Sequence, residues 1–541
     1  MPMINQQRSK FDRSKSHKTT LNAGDIIPIY VDSDIEPGCT VQMDLAELIR
    51  MATPIYPVAD NCYLDTYFFF VPHRLVWEHW QEFWGENNDP WIQTANYEVP
   101  QIEAPTGGWT EGTIADYMGI PTKVDGFSIN AMPFRAYCKV WNDWFRSEDL
   151  KTCTHIYTDE TTRTGQVGTE TGYNYVTGAE LGGLPLKAAK FHGYFTSASP
   201  EVQKGPNVKI PLGTTAPVVY GEKKMTGGNP WTAAYGTEVA VYATGGTSTA
   251  MYENKTQTPD VGMPAGYAAG LVTNLQDATA ATIVELRQAF QLQRFYEQLS
   301  MTGSRYIEIV KAIFGVSSSD ARFQRAEYLG GVRTPIKMDQ IIQTSSTDST
   351  SPQGNTAGFS CTIASDSLFT KSFEEHGTLL GLAVVRTDRS YQQGLNRMWS
   401  RKKLEDFYNP FFAHLSNQGI LNKEIYLQGR TVIDSATGKP YDEEAFGYQE
   451  AWAEMRYAEN MVSGYMRSNA SGSLDVWHYA DDYSSLPALS SDWIDEPKDN
   501  VDRVIAVSSQ LSHQFIADFF FKTYYTRPMP VYSIPGLIDH V

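Results

Sequence analysis

The sequence predicts a mainly β protein, a β-sandwich of Greek-key or jelly-roll type with helices in its long connections. Two observations indicate this fold. Runs of strand-like residues lie far apart in the chain, at 62–71, 377–387, 501–509 and 513–527. The long segments between these runs carry the helical patterns, which fits a sandwich of antiparallel sheets better than a series of β-α-β units.

The first strands come from the N-terminal part of the chain. Residues 24–45, GDIIPIYVDSDIEPGCTVQMDL, predict two extended pieces around a turn at Pro37 and Gly38. Residues 62–71, CYLDTYFFFV, predict a strand with aromatic side chains on both faces. We therefore expect this strand to be covered on both sides.

Three segments show helical periodicity. Residues 132–146 predict a short helix, and a place for it in the core is favoured over an interface. Its large apolar residues form one stripe: Phe134, Tyr137, Trp141 and Phe145. Residues 281–300 and 304–315 predict two further helices, with Gly315 as the C-terminal stop of the second.

Residues 67–84, YFFFVPHRLVWEHWQEFW, could form either a metal site or a packing surface, because histidines, glutamates and tryptophans occur close together. On a helix from Arg74 to Trp84 the tryptophans share one sector, and the glutamates lie opposite. A di-metal bundle would need Glu-x-x-His pairs on matching helices, which the sequence lacks. The stretch therefore predicts no metal site but a packing or interface stripe: Trp77, Trp80 and Trp84. Whether one subunit buries this stripe or two subunits share it stays open.

Length and composition limit the classes of protein that the chain can represent. With 541 residues it should contain several domains or one core with long insertions. Aromatic residues make up 13% and charged residues only 20%, which is typical of an ordered protein with large contact surfaces. The net charge of −18 excludes a chain that coats nucleic acid with its whole surface.

Residues 1–20 are the local exception to this acidity and predict a flexible basic N-terminal arm. Five basic residues stand in this segment among almost no apolar ones: Arg8, Lys10, Arg13, Lys15 and Lys18. Such a segment can contact phosphates, because charge attraction needs no particular fold. The alternative is a solvated terminus without a role.

Residues 215–280 differ from the rest of the chain, since Gly, Thr, Ala and Tyr dominate and charges are few. The many Tyr and Val residues argue against a plain linker, and we expect a folded surface insertion. Its aromatic residues are candidates for contacts with a partner: Trp231, Tyr235, Tyr242 and Tyr252. They could equally hold the insertion together.

No sequence pattern of a common catalytic site is present. Nucleotide-binding, zinc-protease and hydrolase motifs are absent, and SATGKP (435–440) predicts a turn because Pro440 replaces the hydroxyl residue of a phosphate loop. The five cysteines are scattered and predict reduced thiols. No signal peptide or membrane span is recognisable. We expect a protein made in a cytoplasm and without membrane insertion, which could be an enzyme only if its site were assembled from distant loops.

Several long blocks resemble one protein family. These blocks are YFFFVPHRLVWEHWQEFWG (67–85), FHGYFTSASPEVQKGP (191–206), SSSDARFQRAEYLGG (317–331), DRSYQQGLNRMWSRKKLEDFYNP (388–410), GSLDVWHYADDYSSLPALSS (472–491) and RPMPVYSIPGLIDHV (527–541). Together they resemble the major capsid protein of the Microviridae, small circular single-stranded DNA bacteriophages, and in particular of the gokushovirus group. The resemblance covers most of residues 18–215 and 281–541 and leaves out the insertion at 215–280.

The resemblance implies a single eight-stranded antiparallel jelly roll with long helix-containing insertions between its strands. It also implies a structural virion protein, of which sixty copies form a T=1 icosahedral shell around the single-stranded DNA genome. Such a protein would be made in the host bacterial cytoplasm and would be no enzyme, with no cofactor or metal. The variable insertion would then form a protrusion that contacts a bacterial surface receptor. A small basic DNA-binding viral protein is implied as a partner inside the shell, where the basic arm would face the DNA.

These expectations divide the chain into four parts. They are the basic arm (1–20), the first part of the jelly roll with loop insertions (21–214), the variable insertion (215–280), and the helices with the remaining strands (281–541). The alternative function is a β-sandwich carbohydrate-binding protein or glycoside-active enzyme, since jelly rolls with aromatic loops also bind sugars. Glycan cleavage that depends on one carboxylate would favour that alternative.

Overall fold

The computed structural model describes residues 7–87, 97–209, 283–347, 352–413 and 415–532, and the backbone of two short strands, Val218–Tyr220 and Leu271–Thr273. The chain is mainly β, with antiparallel main sheets, as predicted. The strands of these sheets are β1 (Ser9–Asp12), β2 (Lys15–Leu21), β3 (Ile27–Ile35), β4 (Thr40–Met51), β5 (Cys62–Pro72), β6 (Glu327–Pro335), β7 (Thr362–Ser372), β8 (Gly377–Thr387) and β9 (Phe515–Arg527).

Sheet 1 has five strands and is built around β9. One edge of β9 pairs with β4, which pairs in turn with β7. Its other edge pairs with β2 along residues 515–521 and with β1 along residues 524–527. The N-terminal and C-terminal strands of the described chain are therefore neighbours.

Sheet 2 has four strands in the order β6-β5-β8-β3, and all its pairings are antiparallel. The predicted strands at 62–71 and 377–387 are the two central strands of this sheet. The two extended pieces predicted around Pro37 and Gly38 are β3 and β4, so that turn connects sheet 2 to sheet 1.

The main core lies between the two sheets. Along β9 buried and more exposed residues alternate, because one face of a half-buried strand points inward and the other to solvent. Phe68 of sheet 2 meets Phe521 of sheet 1 with ring centroids 6.2 Å apart. Nearby, the hydroxyl groups of Tyr30 and Tyr525 lie 2.7 Å apart and link the two sheets by a hydrogen bond.

A second core covers the other face of sheet 2. Phe69 and Val71 of β5 point into it, while Phe68 and Phe70 point into the main core, so this strand is covered on both sides as predicted. The covering layer includes the helix Met132–Val140, which continues as one wider π-type turn, Trp141–Phe145. Its predicted apolar stripe lies in this second core, as the sequence analysis favoured.

Two long insertions carry all the described helices. The first lies between β5 and β6 and contains His73–Leu75, Trp80–Phe83, Ile114–Tyr117, Met132–Val140, Trp141–Phe145, Tyr175–Gly178, Ala179–Leu181, Ile283–Met301 and Tyr306–Phe314. The second lies between β8 and β9 and contains Arg397–Ser400, Leu404–Asp406, Pro410–Phe412, Asn422–Ile425, Tyr441–Glu443, Ala453–Met455, Gly464–Met466, Asp475–Trp477 and Asp499–Asp502. None of the described helices is both long and apolar enough to cross a membrane.

Further short strands lie in these two insertions and, for Met338–Ile342 and Thr356–Ser360, in the connection between β6 and β7. They are Gln101–Glu103, Ser128–Asn130, Arg163–Thr164, Met338–Ile342, Thr356–Ser360, Ser390–Tyr391, Asn417–Leu421, Ala445–Glu450 and Asn460–Met461. A third, smaller core is formed mainly by the second insertion together with residues 194–198. The chain divides into two compact units, residues 204–298 and the remainder. The smaller unit holds the paired strands Val218–Tyr220 and Leu271–Thr273, which join the two ends of the predicted insertion.

The two helices and the turn predicted elsewhere hold, and one predicted strand is wrong. The helices predicted at 281–300 and 304–315 are present, and Gly315 ends the second one in a left-handed conformation, φ 69°. SATGKP forms the predicted turn, closed by a hydrogen bond from the Gly438 N–H to the Asp434 carbonyl. The strand predicted at 501–509 is wrong. Asp499–Asp502 is a short helix there, and buried Val501 and Val504 close the end of the main core.

Candidate assembly and genome-contact surfaces

The basic N-terminal segment is ordered from residue 9 onward. Ser9 pairs with Arg527, and Lys15 pairs with Phe521, so β1 and β2 extend sheet 1 along the free edge of β9. The prediction of a flexible arm is therefore wrong for this part of the chain. An unpaired strand edge offers backbone N–H and C=O groups, and these hold the segment although it has few apolar side chains.

The five cations of this segment are exposed but have partners. Their contacts are Arg8 Nη2 to Thr40 Oγ1 at 2.9 Å, Lys10 Nζ to the Tyr524 ring at 4.1 Å, Arg13 Nη1 to Asp32 Oδ2 at 2.7 Å, Lys15 Nζ to the Tyr30 ring at 4.1 Å, and Lys18 Nζ to Asp518 Oδ2 at 3.2 Å. Contacts between exposed side chains contribute little to stability, so Lys10 and Lys18 stay available for contacts with a polyanion, whereas Arg13 pairs with the buried Asp32.

The outward face of sheet 1 continues the basic surface onto β9. Residues at even positions of β9 point away from the core, which places Lys522 beside the outward residues of β1 and β2. Phe520 and Tyr524 share this face, and Lys10 lies over the Tyr524 ring. A face that combines lysines with aromatic rings suits single-stranded nucleic acid, because phosphates meet the cations and bases can stack on the rings.

The predicted helix from Arg74 to Trp84 is wrong as a continuous element. A short 3-10 turn, His73–Leu75, and an α-helical turn, Trp80–Phe83, are separated by residues that bond elsewhere. The Glu78 N–H donates to the carbonyl of Thr158, and the carbonyl of Val76 accepts from Arg135 Nη1. These tertiary hydrogen bonds replace helical ones.

The tryptophans of this stretch nevertheless form one aromatic cluster that runs from core to surface. Trp77 is fully buried and its indole N–H donates to Glu160 Oε1 at 3.1 Å. Trp80 is partly buried, with its ring centroid 6.0 Å from that of Trp77. Trp84 is 60% exposed and stacks on His376 at 4.3 Å. The predicted stripe is thus buried within one subunit at Trp77 and open to solvent at Trp84.

The histidines and cysteines of the chain do not gather into a metal site in the part that the structure describes. No group of three or more His, Cys, Asp or Glu residues there could hold an ion. His73 is buried with its Nε2 3.1 Å from the hydroxyl of Thr378, and burial lowers its pKa to about 4. His79 stacks on Tyr97 and bonds to Glu160. All five cysteines are free thiols, as predicted.

The candidate residues for host contact lie outside the described residues. They are Trp231, Tyr235, Tyr242 and Tyr252. The strands that flank them are described: Leu271 pairs with Tyr220 and Thr273 with Val218. The insertion therefore begins and ends at one antiparallel pair of strands, which is compatible with the prediction of a folded insertion.

An exposed apolar segment in the second insertion was missed by the sequence analysis. Its side chains are Met398, Trp399, Leu404, Phe407, Tyr408 and Phe411, and Phe411 is 92% exposed. Isolated exposed apolar residues are common, but so many within a few turns of chain mark a contact surface. The signal was present in RMWSRKKLEDFYNPFF (397–412), but composition alone does not separate exposed from buried aromatic residues.

A buried ionic network around Asp481 was also missed. Lys190 Nζ and Arg389 Nη1 lie 3.3 Å and 3.2 Å from its carboxylate oxygens, and Asn500 Nδ2 donates to it at 2.6 Å. Arg389 also pairs with Glu496. Burial opposes ionisation of Asp481, yet Lys190 and Arg389 keep its pKa lowered to about 2. The network ties both insertions together with buried charges and has no catalytic arrangement.

A comparison with known proteins shows which protein family the chain belongs to. The family model described as capsid protein (F protein) matches residues 1–537. The chain belongs to this capsid protein family. The resemblance to the major capsid protein of the Microviridae is thereby confirmed, and with it the place of the chain in a single-stranded DNA bacteriophage.

Three similar capsid proteins come from different phages, and each is called capsid protein VP1. That of Bdellovibrio phage phiMH2K is 40% identical over 99% of this chain and 96% of its own length. Those of Spiroplasma virus 4 and Chlamydia phage 1 are 39% and 37% identical, over 96% and 99% of this chain and 94% and 97% of their own lengths. The similarity thus extends across the whole capsid protein and is not limited to one domain.

Membership in this family gives the chain a structural role in the virion, where capsid proteins assemble into a multimeric shell. The exposed apolar side chains at 397–412 are compatible with this role, since a protein that assembles buries apolar surface against its neighbours.

Proposed function

We propose that this capsid protein assembles as sixty copies into a T=1 icosahedral shell that encloses a circular single-stranded DNA genome. The observation that carries the proposal is the family match across residues 1–537, with relatives that share nearly their full lengths. A chain that retains the whole of a capsid protein also retains the surfaces that such a protein needs for assembly.

The strand order supports a single eight-stranded jelly roll as the building block. When β1 and β2 count as one interrupted edge strand, sheet 1 contains the first, eighth, third and sixth strands in that order. Sheet 2 contains the second, seventh, fourth and fifth. All connections but one then cross between the sheets, as in a jelly roll made of two Greek keys.

The outward face of sheet 1 is the proposed contact with the genome. Its cations, Lys10, Lys18 and Lys522, would meet phosphates without base preference, since phosphate contacts carry no sequence information. Arg8, Arg13 and Lys15 would add positive charge along the edge of sheet 1 that β1 and β2 form. The chain as a whole has a net charge of −18, so a small basic viral protein inside the shell would neutralise further phosphates.

The insertion at 215–280 is the proposed site of host attachment, with Trp231, Tyr235, Tyr242 and Tyr252 as contact residues. Exposed aromatic rings stack on sugar rings and on apolar groups of a receptor. Replacing the insertion with that of a relative from a different host should change adsorption to cells. Unchanged adsorption would remove this role and leave the insertion as structural.

The proposed shell is tested by expression of the chain with and without its viral partners, followed by electron microscopy. Closed spherical particles of uniform size and sixty subunits are the expected result. A protein that stays monomeric at high concentration, in the presence of DNA and of the other virion proteins, would contradict the proposal.

A further inference from the structure

The 397–412 segment is anchored so firmly that its exposed side chains are held in place before any partner binds. The indole N–H of Trp452 donates to the carbonyl of Phe412 at 3.0 Å, and Arg397 Nη1 donates to the carbonyl of Gly419 at 3.0 Å. Arg401 forms an ion pair with Glu454 at 3.1 Å. The segment is therefore fastened to the body of the subunit at its start, middle and end.

The turns within the segment are fixed by their own side chains. Asp406 Oδ2 accepts from the N–H groups of Lys402 and Lys403, at 2.7 and 2.8 Å, and Asn409 Oδ1 accepts from the Phe411 N–H at 3.0 Å. These hydrogen bonds hold the short 3-10 helices Leu404–Asp406 and Pro410–Phe412. Because the backbone is ordered in advance, a partner would pay little conformational entropy on docking.

Trp452 provides an independent sign that this region has more than a structural purpose. It is buried and adopts a left-handed backbone conformation, φ 66°, which bulky side chains rarely do. Its ring meets Tyr408 edge-on at 5.7 Å. Strained residues of this kind persist where the surrounding structure enforces them, and they concentrate at binding surfaces.

The exposed side chains have the composition of a protein contact. Trp399, Leu404 and Phe411 are 70%, 75% and 92% exposed. Aromatic residues and Met are enriched in the centres of protein interfaces, where a few of them supply most of the binding free energy. The segment combines all of these residue types within sixteen positions, 397–412.

We propose that the 397–412 segment is a docking surface for a second copy of the capsid protein, into which Trp399, Leu404 and Phe411 insert. This inference rests on the proposed assembly and names one of its contacts. The family favours this occupant, because the chain belongs to a capsid protein family whose members assemble into a multimeric shell. In such a shell a neighbouring copy is the partner that would cover an exposed apolar surface.

Single-stranded nucleic acid fits the same surface less well. Arg397 and Arg401 are already paired with Glu424 and Glu454, so their charges are compensated within the subunit. Glu405 and Asp406 stand beside the two lysines of the segment in the sequence. A surface for nucleic acid would need cations in excess along a groove.

The first test compares two substitutions at the most exposed position. Phe411→Ser removes the apolar ring, and Phe411→Leu keeps an apolar side chain. The serine variant should raise the subunit concentration needed for shell formation at least about tenfold, as for a central interface residue, whereas the leucine variant should assemble much like the parent protein. Circular dichroism of the dissociated subunits checks that both variants fold. Assembly of the serine variant at the parent concentration would overturn the inference.

The second test keeps an aromatic side chain at position 411, so it does not require a variant that folds without the ring. A benzophenone amino acid at position 411 is photoactivated in particles assembled from a mixture of nitrogen-14 and nitrogen-15 subunits. Mixed-isotope crosslinked peptides are expected and would identify the neighbouring copy. Crosslinks only within one chain, only to DNA, or to solvent without a peptide product would each overturn the inference. If the parent chain forms no particles at all, the proposed shell fails instead.

Discussion

Glu47 of β4 lies directly opposite Phe519 of β9, and both side chains point into the main core between the two sheets. Glu47 is 4% exposed, and within the described residues neither carboxylate oxygen has a hydrogen-bond partner. Burial raises its pKa to about 7, the nearby Thr334 hydroxyl opposes this rise, and the carboxylates of Asp366 and Asp65 act in the same direction as burial. A carboxyl group that favours its protonated form therefore lies in the core of the sandwich.

This position predicts that the capsid protein loses stability as the pH rises toward neutrality. The pKa of Glu47 is about 7 in the folded chain and about 4.3 in the unfolded chain, so the folded state binds the proton more tightly. The resulting stabilisation is complete below the unfolded pKa and is lost as the pH rises to the folded pKa. Its size is up to about 4 kcal/mol.

Glu47→Gln should abolish this loss, since glutamine does not titrate. Urea unfolding of dissociated subunits, followed by tryptophan fluorescence between about pH 5 and about pH 8, measures the difference between parent and variant. We expect the free energy of unfolding of the variant to increase relative to that of the parent protein as the pH rises. A difference that is constant across the range would show that Glu47 does not titrate there.

Glu180 is compared with Glu47, because burial raises the pKa of both carboxyl groups to about 7. Unlike Glu47 it is paired. It forms an ion pair with buried Arg135 at 3.1 Å and accepts hydrogen bonds from the Tyr157 N–H at 3.0 and 3.1 Å. Glu180→Gln leaves the Arg135 charge without its partner and should lower the free energy of unfolding by about 3 kcal/mol or more at pH values above about 7, where Glu180 is ionised.

The same substitution at Trp77 and at Trp84 should lower the free energy of unfolding by very different amounts. Trp77→Ala empties a fully buried site and should lower the free energy of unfolding by about 3–5 kcal/mol. Trp84→Ala removes an exposed ring stacked on His376 and should cost only about 0.5–1.5 kcal/mol. Thermal unfolding of the subunits tests both values. If Trp84→Ala also blocks shell formation, the exposed end of the stripe lies at a subunit seam.

Periodic patterns in the sequence predicted the regular elements because local residues determine them. The strand-like run in residues 513–527 and the apolar stripe in 132–146 are set by neighbouring residues of one element, and both predictions are confirmed. The helix at 74–84 failed because Thr158 and Arg135, far along the chain, supply hydrogen bonds that compete with helical ones. No local pattern contains such partners.

The candidate surfaces were harder to predict for the same reason. The basic segment has almost no apolar side chains, which predicts flexibility, but the edge of β9, about five hundred positions away, provides its backbone partners. The sequence of 397–412 does not separate exposed aromatic residues from buried ones. Only the folded chain distinguishes Phe411, which is exposed, from Trp452, which is buried behind it.

Substitutions of the adjacent residues Asp481 and Asp482 should show how much the buried ionic network contributes to the free energy of unfolding. Asp481→Asn leaves the buried cations Lys190 and Arg389 uncompensated and should lower the free energy of unfolding at neutral pH by about 3–5 kcal/mol. Asp482→Asn should change it by less than about 0.5 kcal/mol, since Asp482 is exposed. Urea unfolding compares the two. Equal effects would contradict this role of the network.

The same network predicts a loss of stability in acid. The folded pKa of Asp481 is about 2, below the unfolded value of about 3.9, so its contribution is present above the unfolded pKa and is lost as the pH falls toward the folded pKa. Unfolding of the parent subunits between about pH 5 and about pH 2.5 should show this loss, and Asp481→Asn should lack that part of it.

The ordered basic segment changes how its contact with the genome should be tested. Deletion of residues 2–18 would remove β1 and part of β2 from the edge of sheet 1, so a loss of DNA binding could reflect misfolding. Substitution of the outward lysines, Lys10→Gln with Lys18→Gln, keeps the backbone pairing. The slope of log Kd against log salt for a single-stranded oligonucleotide should then fall by about 1.4, without a change in base preference. Lys439→Gln, in an exposed turn, is the control, and an equal slope in both variants would show that the segment does not contact phosphate.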